Sequence, residues 1–135
     1  MSLKNWNALT PKHVSDVVTF DRDDLNWTYR EDDTSMPACQ AEGVAGLWNK
    51  LSRYNAALLA DEVGTGKTLQ ALGVMALLWR MQPEARVLVM APNRDICRHW
   101  EREYRKFVKT HYRESDDRVR SIKSGEPLHL SLIHI

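Results

Sequence analysis

Five consecutive residues, Gly64, Thr65, Gly66, Lys67 and Thr68, bring two glycines, one lysine and two small hydroxyls together. That set suits the holding of a phosphate chain. Glycines let backbone N–H groups close around phosphate oxygens, and a helix start beneath them adds partial positive charge. In such a cradle Lys67 reaches the β- and γ-phosphates and Thr68 ligates Mg²⁺. Asp61 stands where the usual pattern opens with glycine, followed by Glu62 and Val63. The steric demand falls on Gly64 and Gly66, so Asp61 leaves the cradle intact.

The loop needs an element on each side. Before it runs "AALLA", residues 56–60, a short apolar run that reads as a strand buried on both faces. After it, Lys67 to about Met81 reads as a helix, apolar almost all round and therefore deeply buried, ended by Pro83. An earlier helix spans Ala38 to Tyr54, with Val44, Leu47, Trp48 and Leu51 at helical spacing. "RVLVMAP", residues 86–92, predicts a second buried strand stopped by Pro92. Asn93 then caps a third helix, whose apolar stripe is Ile96, Trp100, Tyr104 and Phe107. "RVRSIKSG", residues 118–125, is a candidate third strand. Strands alternating with helices in this rhythm predict an α/β fold with a parallel sheet.

Residues 1–35 differ. They are polar, with acids at Asp21, Asp23, Asp24, Glu31, Asp32 and Asp33, and show only a brief apolar patch at Val17, Val18 and Phe20. They predict a loosely packed lead-in, anchored by Trp27 and Tyr29. The formal net charge of +1 points to no partner, and no apolar run approaches the ~20 residues of a membrane span. "MSLKNWNALT" lacks the apolar core of a signal peptide, and Cys39 and Cys97 read as reduced thiols. The expectation is an intracellular protein with no membrane partner. The five histidines show no metal spacing.

The wider sequence resembles helicase superfamily 2, and within it the SWI/SNF-type DNA translocases. "DEVGTGKTLQ" matches the family's loop at Asp61, Glu62, Gly64, Gly66, Lys67, Thr68, Leu69 and Gln70. Upstream, "CQAEGVAGLW" supplies Gln40, Glu42 and Gly43 of a "YQ-x-EG" element, with Cys39 in place of the aromatic. Downstream, "VLVMAPNRDICRHWEREYRKF" matches through Pro92, Trp100 and Glu103. Thr65 departs from the leucine usual in the SWI/SNF group; "GTGKT" is also common in the motor subunits of restriction enzymes, another branch of the superfamily.

The resemblance implies a partial RecA-like P-loop lobe over residues 36–126, binding ATP and Mg²⁺ through Gln40 and the loop from Asp61 to Thr68. Gln40 would read the adenine edge, since an amide both donates and accepts. The segment after Pro92 would face duplex DNA, with Asn93 and Arg94 at the helix start as the phosphate-contacting candidates. Arg98, Arg102, Arg105 and Lys109 form a further basic face, readable as phosphate contact or as a solvated surface.

Within residues 1–135 no apolar strand ends in the Asp-Glu pair of a Walker B motif, and Asp116-Asp117 follows "HYRES". The expectation is therefore the ATP-binding portion of a translocase with no catalytic residue of its own, or else an inactive nucleotide-binding fragment or part of a restriction-type motor. A small P-loop kinase is the remaining alternative, and Gln40 argues against it. Residues 127–135, ending "LSLIHI", leave the family pattern and read either as a non-native tail or as a short apolar strand. The compartment would be cytoplasmic in a bacterium and nuclear in a eukaryote.

Overall fold

The computed structural model describes residues 7–60, 64 and 66–113, and the backbone of 130–134. In chain order it contains α1 (Pro11–Val17), α2 (Met36–Tyr54), α3 (Lys67–Met81), β1 (Val87–Ala91), α4 (Arg94–Thr110) and β2 (Leu130–His134). The fold is mixed and rich in helix.

Local chemistry sets the helix ends. Ser35 caps α2 through its hydroxyl, Pro37 sits in the first turn, and Asn55 ends the helix in the left-handed region at φ 58°. Asn93 caps α4 by accepting from the Ile96 N–H at 3.0 Å, as its sequence position predicts. α3 runs from Lys67 to Met81, the span expected.

One face of α2 carries Ala38, Gln40, Ala41, Val44, Ala45 and Trp48, all buried at three- and four-residue spacing. This face packs on α1 and α3. Trp48 is fully buried, and its indole N–H donates to the Asn7 carbonyl at 3.2 Å. The Asn49 amide donates to and accepts from the backbone of Leu9, fixing residues 7–9 along α2. Trp79 of α3 meets Tyr104 of α4 edge-on, with ring centroids 5.8 Å apart. Burial there, with a smaller contribution from Tyr112, pushes the Tyr104 phenol up to about 12.

Three expectations are corrected. Residues expected to form a loose lead-in belong in part to the core: Val14 and Val18 are fully buried and Phe20 is 4% exposed. The physical reason is α1, a seven-residue helix started by a reciprocal capping box between Thr10 and His13 with Pro11 in its first turn. Trp27 and Tyr29 pack against the same core, as anticipated.

"AALLA" is not a strand. Residues 56–60 have no regular structure, and Leu58 is 80% exposed. A strand buried on both faces needs a ladder partner on its edge, and among the described residues none pairs with it.

β1 is not buried on both faces either. Val89 and Ala91 point inward while Leu88 and Met90 are 57% and 62% exposed, the alternation of a half-covered strand. β1 pairs in parallel with β2, Val87 opposite Leu130 through Ala91 opposite His134, and α4 contacts both strands. Among the described residues this pair is the whole sheet, so a broader parallel sheet flanked by helices is not observed. Residues 118–125 lie outside the described residues.

Candidate functional site: a glycine loop at the α2–α3 crossing

Two glycines of the loop adopt backbone conformations that other residues resist. Gly64 has φ +88° and Gly66 φ +77°. Gly66 is the N-cap of α3, and no side chain caps that helix start. Lys67 and Thr68 are its first two residues, both half-buried. Asp61, Glu62, Val63 and Thr65 lie outside the described residues.

Gln40, expected from sequence to belong with this loop, is beside it. Gln40 is 7% exposed, and a Cβ on Gly66 would collide with its side-chain amide nitrogen. The contact is one of three along the crossing of α2 and α3. A Cβ on Gly43 would collide with the Gln70 amide oxygen. A Cβ on Gly73 would press on Val44 at 3.1 Å and on the Phe20 ring at 3.4 Å.

Gly66, Gln70 and Gly73 recur at i, i+4 and i+7 on one helix, facing Gln40, Gly43 and Val44 at i, i+3 and i+4 on the other. The absence of side chains at the three glycines therefore brings the helices together, with a glutamine from each lying against a glycine of the other. Sequence reasoning passed over Gly43 and Gln70 as site-building residues, although both lie within the quoted motifs.

A cavity of about 480 Å³ is lined in part by Gln40. Leu69 and Leu72 of α3 form one wall, and Lys106, Phe107 and His111 at the end of α4 form another. The strap from Phe20 to Asp23 also lines it. Apolar and polar groups are mixed, and the size falls in the ~300–1,000 Å³ range of small-ligand pockets.

His111 is 7% exposed. Its ring stacks on Phe107, and Nδ1 lies 2.7 Å from the Thr19 carbonyl, which can only accept, so Nδ1 carries the proton. Phe20, His111 and Arg113 were not recognised from sequence as site residues. Phe20 lay in the noted apolar patch, whereas the other two reach partners about 90 residues away and leave no local signal.

Near the start of α2, the Tyr29 hydroxyl donates to Glu42 at 2.8 Å, and that bond is the main cause of its raised pKa. Asp33 accepts from the Ser35 N–H and the Trp27 indole; the bonds from Ser35, first among the causes, hold its carboxyl below the ordinary range.

At the start of α4, Asn93 and Arg94 are exposed, with the Asn93 side-chain oxygen engaged as the helix cap. Along the same helix Arg105 pairs with Glu101 at 2.9 Å and Arg98 with Asp95 at 3.9 Å. Ile96, assigned to the apolar stripe, is 40% exposed, while Tyr104 and Phe107 are buried and Trp100 packs against the core. No group of three His, Cys, Asp or Glu side chains able to hold a metal occurs among the described residues. Nor is any described helix long and apolar enough to cross a membrane.

Residues 33–130 match the protein family described as type III restriction enzyme, res subunit. A 78-residue stretch is 32% identical to "DNA repair and recombination protein RAD54-like" of Drosophila erecta, covering 51% of this chain and 10% of that protein. Over 64 residues the chain is 38% identical to "SNF2 domain-containing protein ENL1" of Oryza sativa subsp. japonica, covering 47% of this chain and 6% of that protein. Over 75 residues it is 33% identical to "Chromatin remodeling factor mit1" of Schizosaccharomyces pombe, covering 56% and 5%. The chain thus spans a tenth or less of the length of these relatives. No solved structure matches it significantly.

Proposed function

The chain belongs to the family of the type III restriction enzyme res subunit, with SWI/SNF-type relatives, and on that premise we propose that it is the nucleotide-binding portion of an ATP-dependent DNA translocase. The family is one of helicase-type, ATP-binding and DNA-binding hydrolases. The observation that carries the reading is the contact of Gln40 with Gly66 at the uncapped start of α3. It joins an amide able to recognise a base edge to a loop whose glycines leave room for phosphate. These groups support the reading of an ATP site.

In this reading the base lies in the cavity beside Gln40, whose amide donates to and accepts from the adenine edge. Gly64 and Gly66 allow the backbone to approach the phosphates, the start of α3 contributes its partial positive charge, and Lys67 neutralises the terminal phosphates. Asp61, Glu62, Val63 and Thr65 are the remaining positions of the sequence motif. Thr68 would hold Mg²⁺, which when bound neutralises charge between the β- and γ-phosphates. Asn93 and Arg94 would meet duplex DNA through its phosphates, without reading sequence. β1 and α4 would belong to a RecA-like lobe spanning 36–126, with β1 in its parallel sheet. The compartment would be the nucleus in a eukaryote and the cytoplasm in a bacterium.

Titration of the folded chain with Mg·ATP tests the reading. Lys67→Ala removes a charge-assisted contact of ~1.5–3 kcal/mol, so affinity falls roughly 10- to 150-fold while circular dichroism is unchanged. Equal affinity in the folded variant overturns the assignment.

A further inference from the structure

The strap that lines the cavity has no helix or strand between Thr19 and Tyr29. Two side chains from the end of α4 hold it. The His111 ring donates to the Thr19 carbonyl, while the Thr19 N–H donates to the His111 carbonyl at 2.9 Å. The Arg113 guanidinium donates to the carbonyls of both Leu25 and Trp27, and the Arg113 N–H donates to Val17 O at 3.1 Å.

Inside these anchors the strap is braced by its own side chains. The Thr19 hydroxyl lies 3.1 and 3.0 Å from the carbonyls of Asp21 and Asp24. The Asp21 and Asp24 carboxylates each accept a backbone N–H two residues on, at 2.9 Å. Phe20 packs edge-on to Trp27, with ring centroids 6.2 Å apart. The result is a fixed stretch that lines the cavity with Phe20, Asp21, Arg22 and Asp23, together with residues of α3 and α4.

Every anchor engages backbone rather than side chain. The clamp therefore fixes where the strap lies, with residues 20–23 along the cavity. Guanidinium suits this task, because its planar fork can serve two carbonyls at once and an ammonium cannot do so with the same geometry.

We propose that His111 and Arg113 are positioning residues, which hold the strap of residues 19–27 so that its stretch from Phe20 to Asp23 lines a purine-base cavity beside Gln40. The inference rests on the reading of the loop as an ATP site. It adds that affinity for the base, as distinct from the phosphates, depends on the end of α4.

The test separates base from phosphate by comparing Mg·ATP with Mg·tripolyphosphate on the folded 135-residue chain. Arg113→Ala weakens ATP by about 10-fold, the effect of losing roughly one charge-assisted hydrogen bond, and leaves tripolyphosphate unchanged. Arg113→Lys restores part of the difference. A variant that only loosens the fold would weaken both ligands together, which overturns the proposal.

Hydrogen exchange on the unaltered chain gives an independent reading should Arg113→Ala not fold. Saturating ATP slows exchange of the amides from Phe20 to Trp27, and tripolyphosphate does not. If ATP binds and those amides exchange as before, the clamp has no part in base binding, although the ATP site stands. If neither ligand binds, the ATP site fails and this inference fails with it.

Discussion

The α2–α3 crossing and the sheet side of the molecule are built from similar apolar material and end in opposite states. At the crossing, Val44 and Trp48 are fully buried, and three glycines each receive a side chain from across the interface. On the sheet side, Leu88 and Met90 alternate outward from β1, and Leu58 is 80% exposed in a segment with no ladder partner among the described residues. Apolar composition alone did not decide burial. Complementary shapes across a helix pair decided it at the crossing, whereas a strand acquires a covered face only when partners on its edges and faces are present.

The contrast can be broken by deleting one large side chain in each region. Trp48→Ala removes a fully buried indole and should cost ~3–5 kcal/mol in chemical denaturation. Leu58→Ala, at 80% exposure, should stay within ~0.5 kcal/mol. A comparable loss at Leu58 would mean that residues 56–60 are packed as tightly as the crossing.

A smaller effect sharpens the view of the crossing itself. Gly66→Ala carries two penalties: a left-handed backbone, worth ~1–2 kcal/mol for a residue with a Cβ, and the collision with Gln40. Gln40→Ala removes only the second. The double variant should therefore recover part of the loss, giving a coupling in the ~0.5–3 kcal/mol range of residues in contact. Strict additivity would show that Gly66 is required for its backbone alone.

Sequence made most of the helical layer legible because its signals are local. Asn93 announces α4 by its side chain, Pro83 ends the pattern of α3, and the apolar spacing of Val44, Trp48 and Leu51 needs only about two helix turns to read. The two glutamines illustrate the limit. Gln40 was found through its motif, but the interlock of Gly43 with Gln70 requires knowing that two helices cross, which no window of either sequence contains.

α1 was missed because its polar residues hide a period of only two turns. Thr10 followed by Pro11 was the available signal, with His13 taking the place that glutamate or glutamine usually fills in a capping box. "AALLA" erred the other way: its local pattern suits a buried strand, and burial depends on neighbours that composition cannot supply. The clamp of His111 and Arg113 on the strap spans about 90 residues, beyond any periodicity argument.

The smallest effect compares the two ends of the basic surface on α4. Arg94 is exposed at the helix start, beside the capped turn after Pro92, where a phosphate would meet both its charge and the helix's partial positive end. Arg105 lies three turns along and is paired with Glu101 at 2.9 Å, with both side chains about half exposed. If the helix start is the DNA-facing end, Arg94→Ala lowers the slope of log affinity against log salt for duplex binding by up to ~1, uniformly across sequences.

Arg105→Ala should leave that slope in place, because its charge is already offset by Glu101. Its stability cost should be only the ~0.3–0.5 kcal/mol of an exposed i,i+4 pair, measured by a double-variant cycle with Glu101→Ala. Equal slopes for the two variants would make the basic surface of α4 a single diffuse field. A changed slope for Arg105→Ala alone would move the DNA contact from the helix start to its outer face.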